Sequence, residues 1–251
     1  MSEGQGYPTA LVTGSTDGIG AAIAAALAAG GAQVVVSGRD RERGEKVVAR
    51  IVEAGGRATF VAADLRRGAP AARSLAAAAH ELAGGPLDVL VNNAAMLIAP
   101  RPTADVDEDL IDDALAVNVK AAFLLTALVA PRMAERGSGA IVNVGSINGL
   151  FGMAGSALYG TTKAAIHSLT KSWAAEYGPH GVRVNTVAPG PTRTPRSVRF
   201  EEHLAPLVAR APARRLSTTD EVAKAVVFLA GADSANVHGA TLTVDGGWSA
   251  V

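Results

Sequence analysis

The sequence predicts an α/β domain on a doubly wound, seven-stranded parallel sheet with helices on both faces, and three observations carry that expectation. Short β-branched runs alternate with longer alanine-rich helical stretches, as a parallel sheet with crossover helices requires. Aromatic residues make up 4% of the 251 residues, which suits closely packed helices on a sheet better than an all-β core. A glycine-rich turn at residues 13–20 stands where the first strand passes into the first helix. Residues 1–251 read as a single domain, with no linker, low-complexity tail or solenoid repeat.

Composition narrows the function classes. Lys and Arg total 23, as do Asp and Glu, so the chain has no long-range field to collect nucleic acid or an anionic membrane, and an anion must be held by local geometry. Without cysteine there is no disulfide, thiolate nucleophile or Cys-ligated zinc, and a cytoplasmic setting is expected. The N-terminal residues lack the basic and apolar regions of a secretion signal. No apolar stretch reaches the ~20 residues of a membrane-spanning helix, so neither a membrane nor a nucleic acid is an expected partner.

Residues 9–13 read as a short buried strand, residues 19–29 as a helix stopped by Gly30 and Gly31, and residues 33–37 as a second strand. Residues 41–54 follow as an exposed helix whose apolar side is Val47, Val48, Ile51 and Val52. Further strands are expected at 58–62, 88–91, 140–144, 182–187 and 240–244, and helices at 69–83, 110–119, 121–136, 156–177 and 220–230. Residues 189–217 lose periodicity in a Pro- and Arg-rich stretch, read as a flap over substrate.

The glycines of the 13–20 turn permit a tight bend and close approach of a pyrophosphate, which the amides of the following helix can hold. Gly14, Ser15, Thr16, Gly18, Ile19 and Gly20 are therefore candidate cofactor residues. No Gly-Lys-Ser/Thr follows, so a dinucleotide fits better than a nucleoside triphosphate. The second strand ends Val36-Ser37-Gly38-Arg39-Asp40, where an acid would serve the ribose of NAD(H) and a cation the 2′-phosphate of NADP(H). Arg39 favours NADP(H), while Asp40 keeps NAD(H) open.

Tyr159 and Lys163 stand one helical turn apart, and Ser146 follows the fifth strand. A phenol, with its ordinary pKa of about 10, is a poor acid–base group at neutral pH, and a nearby ammonium favours its ionised form. On its own such a pair only covers a helix surface. Joined to Ser146 and the glycine turn, it resembles the short-chain dehydrogenase/reductase family of compact single-domain type, over nearly the full chain. The general look is most similar to 3-oxoacyl-carrier-protein reductase-like members.

The resemblance implies a Rossmann-type sheet and an NAD(P)-dependent oxidoreductase acting on a small ketone or secondary alcohol. It implies that Tyr159 moves the proton at the substrate oxygen, that Lys163 lowers the tyrosine pKa and holds the nicotinamide ribose, and that Ser146 hydrogen-bonds the carbonyl. Asn118 matches the residue that kinks its helix and holds a water. Asp64 and Leu65 match the adenine-contacting pair, and Asn92 and Ala94 the motif after the fourth strand, where Ala95 replaces the usual Gly. Pro189, Thr192 and Thr194 match the turn around the carboxamide, with Tyr159 and Lys163 also facing the cofactor. A homotetramer is implied, with a dimer as the alternative. The rival class, a non-catalytic dinucleotide-sensing scaffold, would be marked by a broken Ser-Tyr-Lys set, and here the set is intact.

The five histidines show no metal-ligand spacing, and only His203, in the flap, is placed to meet substrate. The acidic run at 105–113 reads as helix-start carboxylates. Arg193, Arg196, Arg199, Arg210, Arg214 and Arg215 make the flap basic, and Met96, Leu97, Leu150, Phe151 and Met153 are candidates for an apolar pocket.

Overall fold

The first strand, β1 (Thr9–Val12), is buried along its whole length, and a strand with no wet face belongs inside a parallel sheet. In the computed structural model, which describes residues 8–195, 197 and 201–251 and only the backbone of 201–203, it stands between β2 (Gln33–Gly38) and β4 (Val89–Asn92). Beyond these lie β3 (Arg57–Ala62) on one side, and β5 (Gly139–Val144), β6 (Val182–Pro189) and β7 (Thr241–Val244) on the other. Every pairing is parallel and the order is β3-β2-β1-β4-β5-β6-β7. The order reverses between β1 and β4, which opens a crevice at the carboxyl ends of these strands.

Helices cover both faces. On one, α1 (Gly18–Ala29) and α2 (Arg41–Glu53) join a later helix at Thr219–Ala230, burying Ile23, Leu27, Val47, Val226 and Leu229 against Val34, Val36 and Val142. On the other, α3 (Ala69–Ala83), α5 (Ala121–Arg136) and α6 (Ala157–Tyr177) pack around Leu75, Leu125, Met133, Ile166 and Trp173, and α4 (Glu108–Leu115) lies against α6. The helix α7 (Glu201–Arg210) lies in the flap, and Thr219–Ala230 is α8, fixed at its start by a Thr218/Glu221 capping box.

Two expectations change. The flap contains α7, whose helical pattern is masked by the internal Pro206, which cannot donate its backbone hydrogen bond. This short helix is held by tertiary contact, Leu207 packing on a small cluster of Ile147, Ala211 and Trp248. Second, α4 and α5 run together through one π turn, Ala116–Lys120, into a helix of 29 residues, Glu108–Arg136, in which an 18-residue window has a mean hydropathy of 1.8. By length and composition that helix is long enough to cross a membrane, although no separate apolar stretch in the sequence reaches that length. Leu125, Val129 and Met133 on it are core residues packed with α3 and the sheet.

The acidic run opens α4 as expected: the Asp107 carboxylate accepts from the Leu110 amide at 2.7 Å, with Glu108 and Asp109 in the first turn. Arg196 and Arg199 lie outside the described residues, as does the side chain of His203.

Candidate active site

The glycine turn is built by fasteners from three strands. Gly14 has φ +62°, and a Cβ there would come within 2.8 Å of the Ala94 α-carbon, so the turn and the loop after β4 touch backbone to backbone. Asn93 closes the contact: its Nδ2 donates to the carbonyls of Thr13 (2.9 Å) and Gly14 (3.1 Å), and the Thr13 hydroxyl accepts from the amides of Asn93 and Ala94, both at 3.0 Å. Asp17 caps α1 by accepting from the Gly18 amide at 2.7 Å. Thr194 lies over the turn, its methyl 3.5 Å from where a Gly18 Cβ would stand.

Some expected cofactor residues are otherwise engaged. The Ser15 amide donates to the Ser37 carbonyl at 2.9 Å, while its hydroxyl donates to Val12 and accepts from the Ser37 amide, so Ser15 ties the turn to β1 and β2. Asn92 turns into the interior, donating to Asn143 Oδ1 at 2.9 Å and Thr126 Oγ1 at 3.3 Å. The neighbour Asn93 is the residue that reaches the turn, because successive side chains point to opposite sides of the chain as the strand ends. The Leu65 side chain is buried in the core on the α3 side. The Thr192 hydroxyl is spent on the Gly190 carbonyl, and that of Thr194 accepts from the Ser197 amide.

At the ends of β2 and β3, Arg39, Asp40, Arg43, Ala62, Ala63, Asp64, Arg66 and Arg67 line a cavity of about 700 Å³. Asp40 is committed: it accepts from the Arg43 amide at 3.0 Å as the cap of α2 and pairs with Arg43 Nε at 2.7 Å. Its carboxyl is held below the usual range chiefly by the hydrogen bond from the Arg43 backbone. Asp64 caps the 3₁₀ turn Leu65–Arg67 and pairs with Arg66 at 2.9 Å. Arg39 is exposed and forms no ion pair within the described residues.

Ser146, Tyr159 and Lys163 come together because the loop after β5 folds onto the first turns of α6. A 3₁₀ turn, Ile147–Gly149, is capped by the Ser146 hydroxyl, which accepts from the Asn148 amide at 3.2 Å. Gly149 makes that fold tight: a Cβ there would stand 2.7 Å from the Lys163 carbonyl carbon. Asn148 Nδ2 donates to the Ser156 hydroxyl at 3.0 Å and secures the far end.

Lys163 is 4% exposed and its Nζ donates to the Val144 carbonyl at 2.9 Å, 5.7 Å from the centre of the Tyr159 ring. Burial pulls this ammonium down to about 8. Burial pushes the Tyr159 phenol up to about 12, against the hydrogen bond from Ser146. The resemblance implied that Lys163 lowers the tyrosine pKa; burial of the phenol raises it here and outweighs the lowering hydrogen bond from Ser146, with Lys163 Nζ 5.7 Å from the ring centre.

Asn118 sits within the π turn, where the Ala121 amide bonds the Ala116 carbonyl. Its Oδ1 accepts from the Met96 amide at 2.6 Å, and its Nδ2 donates to the Met96 carbonyl and to Thr162 Oγ1, both at 3.1 Å. Thr162 in turn donates to the Tyr159 carbonyl at 2.8 Å, so Asn118 joins the loop after β4 to the helix carrying Tyr159. Beneath them runs a buried chain that residue spacing does not reveal: Asn92 to Asn143, Asn143 to Thr170 at 2.8 Å, and Thr170 to Thr186 at 2.7 Å.

The candidate apolar pocket residues divide. Met153 packs on the cluster of Ile147, Ala211 and Trp248, whereas Leu97, Leu150 and Phe151 are exposed, the Phe151 ring lying 5.7 Å from that of Trp248. Of the flap arginines, Arg215 pairs with Glu221 at 2.6 Å, and Arg210 lies 4.2 Å over the Trp248 ring and donates to the Val251 carbonyl at 2.7 Å.

Among known proteins, the family model described as enoyl-(acyl carrier protein) reductase matches residues 14–249. A solved short chain dehydrogenase/reductase family protein is 44% identical, with a TM-score of 0.88 over 97% of this chain and 98% of that one. The chain belongs to the short-chain dehydrogenase/reductase family. This short-chain dehydrogenase/reductase is also 39% identical over 252 residues, covering 100% of both chains, to the cis-4-hydroxycyclohexanecarboxylate dehydrogenase of Sinomonas cyclohexanicum. A candidate NAD(P) dependent gluconate 5-dehydrogenase from Beutenbergia cavernae, solved with NADP at low occupancy, is 38% identical with a TM-score of 0.90, covering 97% of each chain. The protein is thus an oxidoreductase of this family, whose relatives are dehydrogenases acting on alcohol groups.

Proposed function

We propose that this short-chain dehydrogenase/reductase interconverts a small ketone and its secondary alcohol, preferring NADP(H) and running best as a reductase, with Tyr159 as the acid. The observation that carries this reading is the Ser146–Tyr159–Lys163 arrangement at the carboxyl end of β5, beside the crevice where strand order reverses.

The residues suit a dinucleotide. Gly14 and Gly18 hold positive φ at the mouth of α1, whose first amides have no intrahelical acceptor and favour an anion. The cavity at the ends of β2 and β3 presents Arg39 without an ion pair among the described residues, while Asp40 is spent on Arg43, which supports a 2′-phosphate over a bare ribose diol. Gly14, Gly18, Gly20, Ile19 and Thr16 would line the pyrophosphate, Arg39, Asp64 and the Leu65 backbone the adenosine end, and Ala94, Pro189, Thr192 and Thr194 the nicotinamide end.

The nicotinamide, when bound, supplies the hydride. Ser146 donates to the substrate carbonyl oxygen and polarises it. Tyr159, protonated throughout the working range because burial holds it near 12, delivers its proton to the developing alkoxide. Lys163, anchored on the Val144 carbonyl, holds a positive charge beside the phenol ring and stabilises the tyrosinate left behind, and it would hold the nicotinamide ribose. Asn118 positions α6 through Thr162 and retains the water-holding role as part of this reading. Alcohol oxidation is the reverse sequence and needs the ionised phenol, which burial disfavours.

A homotetramer accompanies the proposal, a dimer being its alternative. Ile111, Leu115 and Phe123 on α4 to α5, and Leu242 on the edge strand β7, are large apolar side chains left exposed. The test is turnover of a panel of ketones and alcohols with both cofactors, followed by nicotinamide absorbance. Faster ketone reduction with NADPH is expected; turnover of alcohols alone, or NADH as the better reductant, contradicts the direction or the cofactor.

A further inference from the structure

His167 has no part in that reading, yet its ring lies against the strand end that precedes Ser146. It stands one turn beyond Lys163 on α6, is 6% exposed, and neither ring nitrogen has a hydrogen-bond partner among the described residues. A buried polar atom without a partner costs about 1–3 kcal/mol, so an aliphatic side chain of similar bulk would make a more stable fold.

The ring packs against Gly145. A Cβ on Gly145 would stand 2.3 Å from His167 Nε2 and 2.8 Å from its Cδ2, with the Thr186 methyl at 2.8 Å on the same side. Only glycine leaves room for the imidazole. The same short stretch is gripped twice more, the Val144 carbonyl accepting from Lys163 Nζ at 2.9 Å and the Gly145 amide donating to the Val187 carbonyl at 2.8 Å. Carbonyl, amide and α-carbon of this segment are each fixed from a different direction, and the next residue is Ser146.

Resting on the assignment of Ser146 and Tyr159 as the groups that grip the substrate oxygen, we infer that His167 is a positioning residue. Its ring is a spacer plate between α6 and the end of β5, and its thickness against Gly145 sets the height of the Ser146 hydroxyl over Tyr159. Gly145 and His167 form one size-matched unit. The plate shapes the alignment that matters in the transition state, so its loss falls on kcat and leaves cofactor binding alone.

The test compares His167→Ala, Gly145→Ala, the double variant Gly145→Ala/His167→Ala and the bulk-keeping His167→Leu, reading kcat, KM, NADPH affinity by fluorescence and melting temperature. His167→Ala is expected to lower kcat about tenfold or more with NADPH affinity within about twofold. Gly145→Ala also loses kcat. The double variant, whose added methyl fills the vacated space, recovers most of that loss, and His167→Leu restores kcat to within about threefold of the parent while raising the melting temperature. Unchanged kcat in His167→Ala, or a folded double variant no better than the worse single one, overturns the inference. Should His167→Ala not fold, His167→Val takes its place with the same thresholds. Tyr159→Phe is run beside them: if it turns over normally, the catalytic assignment has failed, whereas an inactive Tyr159→Phe with a fully active His167→Ala means that the plate alone has failed.

Discussion

Lys163 Nζ donates to the carbonyl oxygen of Val144 at 2.9 Å, and this bond ties the long helix α6 to the end of β5 at the residue pair preceding Ser146. The ammonium is buried and its pKa falls from 10.5 to about 8. A cation depressed in this way weakens the fold below pH 8, and the weakening fades as pH rises from 8 to 10.5, where the unfolded chain still binds the proton and the native chain does not.

Lys163→Met follows from that balance. Removing the buried charge returns roughly 3 kcal/mol, and stranding the Val144 carbonyl takes back about 1–3 kcal/mol. The variant should therefore melt at or above the parent temperature while losing about a thousandfold in turnover. A large drop in melting temperature in calorimetry would show the bond to be mainly structural.

Carbonyl reduction should decline as pH rises through about 8, where Lys163 loses its proton and the positive charge beside Tyr159 disappears. The phenol, near 12, contributes no limb in that range. A rate profile for kcat that stays level from pH 7 to pH 10 contradicts the role given to Lys163.

His167 is expected to contribute to acid stability. Burial, with Lys163 and Lys171 nearby, lowers it from 6.5 to about 4, so the neutral ring contributes stability that is complete above pH 6.5 and lost as pH falls toward 4. Urea unfolding at pH 7 and pH 5 should differ by about 2 kcal/mol from this residue, and His167→Leu should remove that difference. An equal acid loss in the variant assigns it elsewhere.

Arg39→Ala tests the cofactor preference. Loss of a guanidinium from a 2′-phosphate is worth about 1.5–3 kcal/mol, so NADPH should bind more than tenfold more weakly with NADH nearly unaffected. Equal weakening of both cofactors would place Arg39 away from the phosphate.

Much of this protein was legible in the sequence because its signals are local. The strands follow β-branched runs, Ser146 falls at a strand end, and Tyr159 and Lys163 share a helix face by spacing alone. What escaped depends on tertiary contact. The helix α7 is interrupted by Pro206 and owes its place to Leu207 against Trp248. The π turn at Ala116–Lys120, around the Asn118 whose kink the resemblance implied, carries the helix through instead of ending it, so two helices become one. Whether Asn92 or Asn93 meets the glycine turn is decided by side-chain alternation at the last residue of a strand. The upward displacement of Tyr159 comes from burial, which residue spacing does not report.

Tyr159 as the proton donor is the centre of the proposed mechanism, and the most direct measurement is NADPH-dependent ketone reduction by Tyr159→Phe, with NADPH binding followed in the same preparation. Turnover should fall by about a hundredfold to ten-thousandfold with NADPH affinity unchanged. A variant that binds NADPH and reduces the ketone at the parent rate contradicts it.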